Sequence, residues 1–169
     1  MLNIFNSLKP FFEDCYKRIN VREYSRLIKI SPPTASKMLL KLNKENLLIM
    51  EKDRNYLFYY ANKNSKTFID LSRIYWRLKI SNLINFLNKE LTNPSIILFG
   101  SLSKAEVKDD SDIDICIIEH KKEINIKEFE NSLKRKIQLF FFDSLKDIKN
   151  KELANNILNG YILEGRFKL

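Results

Sequence analysis

Ser95-Ile96-Ile97-Leu98-Phe99-Gly100-Ser101 and, ten residues further on, Asp112-Ile113-Asp114-Ile115-Cys116-Ile117-Ile118 decide how this chain reads. Each stretch holds a short unbroken apolar run, the pattern of a buried strand. The first runs straight into Gly-Ser, and the second starts from Asp-Ile-Asp. Side chains alternate along a strand, so Asp112 and Asp114 share one face while Ile113 and Ile115 turn to the core. Two carboxylates about 7 Å apart on one strand face repel each other unless a cation lies between them. Mg²⁺ suits such a pair, because it takes one or two carboxylates and completes its octahedron with phosphate oxygens and water. Gly100 lets the backbone approach a phosphate closely, and Ser101 supplies a hydroxyl and an N–H. With Lys104 as a nearby cation, these are the candidate phosphate contacts.

Around this core the chain has 169 residues, of which 44% are apolar and 30% charged. That suffices for one domain or two small ones with a soluble surface. Three Gly and four Pro argue against a disordered or turn-rich all-β protein. No run approaches the ~18 apolar residues of a membrane span, and the first twelve residues lack the pattern of a signal peptide. A cytoplasmic protein without membrane contact is expected. Cys15 and Cys116 fall in apolar segments without a second cysteine or histidine at ligand spacing, so both are expected as buried thiols. The single His120, beside Lys121 and Lys122, reads as a solvated loop residue.

The formal charge of +9 is unevenly placed. Residues 1–94 hold 17 basic against 8 acidic side chains, whereas residues 95–169 balance 13 against 13. Such asymmetry points to an anionic polymer as partner of the first part. There, Leu2, Phe5, Leu8, Phe12, Tyr16 and Ile19 recur at helical spacing, with Pro10 as a point of kinking or division. A second helix from Val21 turns Tyr24, Leu27 and Ile28 inward. Ser31 caps a third, which starts at Pro32 and runs to about Asn43. Its inner face is Ala35, Leu39 and Leu42. Its outer face holds Thr34, Ser36, Lys37, Lys41 and Lys44 and has no Arg, Asn or Gln before Asn43, so strong bidentate base reading is not evident. Two strands, Leu47–Met50 and Tyr56–Tyr60, flank a polar hairpin turn that carries Arg54. Residues 62–93 read as one long or two abutting helices. There Phe68, Leu71, Tyr75 and Leu78 form a stripe that is either intramolecular core or the seam of a homodimer.

The order of helix, helix, polar-faced helix and hairpin, carried by "VREYSRLIKISPPTASKMLLKLNKENLL", resembles a winged helix-turn-helix domain. The resemblance implies DNA as partner, with Thr34, Ser36, Lys37, Lys41, Lys44 and Arg54 as its contacts. A protein-interaction module is the alternative for the same pattern. The stretch "LFGSLSKAEVKDDSDIDICII", with the ending "YILEGRFKL", resembles the minimal nucleotidyltransferases of the polymerase-β superfamily. That resemblance implies an α/β domain with a mixed sheet, Mg²⁺ and a nucleoside triphosphate as cofactors, and Asp112 and Asp114 as catalytic metal ligands. It also implies a third carboxylate on a later strand, and the matching position in Lys136–Phe142 holds Gln138. An amide neither takes a proton from an acceptor nor ligates the metal well, and Asp143 lies at the wrong strand parity to replace it.

The expected fold is therefore α+β in two domains: a winged helix (1–61), a helical connector (62–94) with the dimer stripe, and a nucleotidyltransferase-like domain (95–169). The expected function is a DNA-binding regulator whose second domain binds Mg²⁺–nucleotide with weak or no transfer. An active, antitoxin-like enzyme that nucleotidylates a protein or small-molecule hydroxyl is the rival. A pair of protein-interaction modules is the third alternative.

Overall fold

The computed structural model describes residues 3–166, in two units. One comprises the chain up to Ser72 with Ala105–Asp109, and the other Arg73–Lys104 with the chain from Asp110 onward. No helix among the described residues is long and apolar enough to cross a membrane.

In the first unit, α1 (Asn3–Glu13) buries Phe5, Leu8, Phe11 and Phe12, and it contains Pro10 without interruption. The helix stops well short of Ile19, contrary to its apolar spacing. Tyr16 N–H bonds the Asp14 carboxylate at 2.9 Å, and Ile19 and Asn20 instead form the short strand β1 (Ile19–Asn20). Tyr16 is correspondingly exposed, under the Lys63 ammonium at 3.7 Å from its ring centre. Next come α2 (Val21–Ile28), capped by the Asn20 side chain, and α3 (Pro32–Lys44), capped by Ser31 with Pro at its start. Tyr24 is buried and donates to Ser7 O at 2.8 Å, but Leu27, expected to face inward, is exposed. Ala35, Leu39 and Leu42 form the buried face of α3. A hairpin of β2 (Leu48–Asp53) and β3 (Tyr56–Ala61) follows, and the antiparallel sheet has the order β1-β3-β2.

The helical stretch breaks into α4 (Lys66–Lys79) and α5 (Ser81–Glu90), and Ile80 separates them just before the leucine spacing resumes at Leu83. Phe68 is buried against Phe12 at 5.2 Å between ring centres, and Tyr75 against Trp76 at 5.4 Å. Two members of the proposed dimer stripe are thus core of this chain and unavailable to a second copy. Leu78 is exposed and Leu71 half-buried.

The second unit carries β4 (Ser95–Phe99), α6 (Gly100–Lys104), β5 (Ile113–Ile118), α7 (Lys127–Leu133), β6 (Ile137–Phe142), α8 (Lys151–Leu158) and β7 (Tyr161–Glu164). Its four-stranded sheet is mixed, in the order β6-β5-β4-β7, with β5 and β6 parallel and the other pairs antiparallel. The central strands are buried on both faces, which explains their unbroken apolar runs. Ile97, Phe99 and Cys116 pack with Ile148 and Ile157 on one side, while residues of the other parity, such as Leu98 and Ile115, are buried too. Burial pushes the Cys15 thiol up to about 11 and the Cys116 thiol up to about 12. Both are protonated at neutral pH and inert.

Candidate nucleotide site

β4 delivers Gly100 directly opposite β5, with Phe99 paired to Asp114. Gly100 has φ +68°, a left-handed conformation that costs other residues roughly 1–2 kcal/mol. A side chain there would also meet a neighbour. A Cβ on Gly100 would fall on the Asp114 carboxylate, inside any van der Waals contact. The missing side chain leaves room for the Asp114 carboxylate where it rests. Gly100→Ala is expected to lower the thermal midpoint by several degrees, and Gly100→Ala with Asp114→Ala to recover part of that loss. Equal midpoints for the two variants would refute the overlap.

Asp112 and Asp114 are both half-buried at the start of β5. Burial, and secondarily the Asp112 charge, raise the Asp114 carboxyl above the ordinary carboxylate range. The pair is thus electrostatically incomplete and would be relieved by a cation. Its third corner is an amide. The parallel register sets Gln138 beside Asp114, and Gln138 Nε2 donates to Asp112 Oδ2 at 2.7 Å. Among the described residues no group of three or more His, Cys, Asp or Glu side chains is placed to hold a metal. Asp143 pairs with the exposed His120 at 2.8 Å, so neither joins the carboxylates.

Two arginines brace the site, and nothing in their local sequence marks them. Arg135 donates to Ser111 O at 2.6 Å, next to Asp112, and its guanidinium stands 5.1 Å from the ring centre of the buried Trp76. Arg73 Nε donates to Ser103 O at 2.7 Å, and Ser103 Oγ in turn donates to Gly100 O at 2.9 Å. Both walls are therefore tied to residues distant in the chain. Ser101 is half-buried beside Gly100. Lys104 points its ammonium at Asn156 Oδ1, at 2.7 Å, and so holds α6 to α8.

In the first unit, Lys37, Lys41, Lys44 and Arg54 are exposed, with Arg54 in the hairpin turn at φ +52°. Lys41 lies 3.8 Å from Glu45. The Thr34 hydroxyl is engaged with the Ser31 hydroxyl at 2.8 Å, and Ser36 is half-buried, so these two offer less outward hydrogen bonding than their spacing suggested. Arg18 pairs with Glu51 at 2.9 Å and Asp53 at 3.6 Å, offsetting the acidic residues of the hairpin.

A mixed sheet with Gly-Ser closing one central strand and Asp-x-Asp opening its antiparallel neighbour defines a nucleotidyltransferase-type site. The chain belongs to the polymerase beta nucleotidyltransferase family, whose match covers residues 81–165, half of the chain. Among curated proteins and among solved structures, nothing matches.

Proposed function

We propose that this chain is a DNA-binding regulator in which a winged helix-turn-helix domain, residues 1–61, accompanies a nucleotidyltransferase domain, residues 95–169, that binds a Mg²⁺–nucleoside triphosphate and transfers little or nothing. The observation that carries the second half is the 2.7 Å hydrogen bond from Gln138 to Asp112. Members of this family typically use Mg²⁺ and a nucleoside triphosphate, and two half-buried carboxylates are the ligand number Mg²⁺ takes when phosphates supply the rest. Asp112 and Asp114 would hold the ion, which when bound neutralises phosphate charge. Gly100 and Ser101 offer backbone N–H groups and a hydroxyl to the phosphates. A Gln138 amide accepts no proton from an attacking hydroxyl, so the chain lacks at that position the base a transfer needs.

Supporting the DNA half are three helices with a β1-β3-β2 sheet, an outward α3 bearing Lys37, Lys41 and Lys44, and Arg54 at the hairpin tip. The rival, an active nucleotidyltransferase, keeps its support in the intact Gly100, Asp112 and Asp114.

Calorimetry with Mg²⁺, with and without ATP, tests the nucleotide site. Weak binding of the ion alone and tighter binding with ATP are expected. Asp112→Asn combined with Asp114→Asn should abolish the ATP-dependent component, and unchanged heats in the double variant would refute the site.

A further inference from the structure

The outward face of α3 has an apolar centre that phosphate contacts do not use. At 100° per residue, Pro33, Lys37, Leu40 and Lys44 fall within one arc of roughly 60°, away from the buried Ala35, Leu39 and Leu42. Leu40 is 39% exposed there. The uncharged hydrogen-bonding side chains of the helix, Thr34, Ser36 and Asn43, fall outside that arc. Thr34 meets the Ser31 hydroxyl at 2.8 Å, Asn43 Nδ2 donates to Leu48 O at 2.9 Å, and Ser36 is half-buried. What α3 presents outward is thus a leucine and a proline flanked by lysines.

Resting on the winged-helix assignment above, we infer that α3 reads thymine methyl groups in the major groove through Leu40, so that the chain selects A·T-rich DNA. The thymine 5-methyl is the one apolar feature on base edges in that groove, and it needs no hydrogen-bond donor to be recognised. Lys37 and Lys44, one turn before and one turn after Leu40, suit phosphates on either side of the contacted bases. Arg54 favours the same DNA for an independent reason. Stiff A·T tracts have a narrow minor groove whose enhanced negative potential attracts arginine. The left-handed backbone at φ +52° places Arg54 in the two-residue turn between β2 and β3. The exposed Lys37, Lys41 and Lys44, all on the side of α3 away from its buried residues, favour a polyanion over a protein as the occupant of this face.

The test is selection by the full chain, at low salt, from a randomised pool of short duplexes. Each thymine of the enriched site is then replaced in turn by deoxyuridine, which lacks only the methyl. An A·T-rich site is expected, with about 4-fold weaker binding for each contacted methyl removed. Leu40→Ala should bind the thymine and deoxyuridine duplexes equally. Leu40 lies on the surface, so its variant should keep the thermal midpoint of the parent, and the deoxyuridine series on the parent stands without any variant. A G·C-rich site, or indifference of the parent to every thymine replacement, overturns this inference while leaving DNA binding intact. Failure of every duplex to bind overturns both, and leaves the face to a protein partner.

Discussion

Gln138→Glu and Gln138→Asp are expected to raise nucleotidyl transfer by about 10²–10⁴-fold over the parent, the contribution of one positioned base. The side chain of residue 138 already reaches Asp112, at 2.7 Å, and is paired in register with Asp114, so the glutamate isostere would set a third carboxylate beside the first two. Two consequences follow from that crowding. Without metal, the hydrogen bond to Asp112 becomes a repulsion, and the thermal midpoint should fall. With Mg²⁺ present it should recover, because the ion neutralises the cluster. Labelled ATP, GTP, CTP and UTP, in Mg²⁺ or Mn²⁺, with detection of nucleotidylated protein or small-molecule acceptors, measure the first effect, and melting curves with and without Mg²⁺ the second. Robust transfer by the unmodified chain would overturn the assignment of Gln138 as the missing base. It would also require that another group complete the site.

Lys37→Ala with Lys41→Ala and Arg54→Ala is expected to flatten the salt dependence of DNA binding by about three units of the log–log slope, roughly one per lost phosphate contact. All three side chains are exposed, so their removal should leave the fold intact. The Lys41–Glu45 contact at 3.8 Å is an exposed pair and contributes little to stability. Anisotropy titrations over a salt series measure the slope directly. A triple variant that binds as tightly as its parent at every salt concentration would remove this face from the DNA assignment.

Much of the architecture was legible because burial on both faces leaves an unbroken apolar run. β4 and β5, central in their sheet, stand out for that reason, as does the inner face of α3 with its Ser31 cap and leading Pro32. α7 was not legible, since none of its residues is buried and no periodicity marks it. β1 is two residues long and exists only through its pairing with Tyr59 and Phe58 on β3, so Tyr16 and Ile19 read as a continuation of the first helix. Leu27 was misplaced inward because helical spacing predicts a face without showing whether a neighbour covers it. The Phe68–Tyr75 spacing was right for a buried stripe, but only the packing against Phe12 and Trp76 showed that the chain covers it with its own residues.

At the candidate site, strand alternation alone puts Asp112 and Asp114 on one face, and parity alone separates Asp143 from them, since both follow from covalent geometry within a strand. The contact of Gln138 with Asp112 needs the parallel register of two strands whose facing residues are 24 positions apart. No local pattern encodes that register. The same holds for Arg73 and Arg135, which act through backbone carbonyls 30 and 24 residues away. Gly100 shows the division most clearly. Its type was conspicuous in the sequence as a place where backbone approaches closely, and the phosphate was the expected neighbour. The fold sets the Asp114 carboxylate there first, because antiparallel pairing of Phe99 with Asp114 brings the two against each other before any ligand binds.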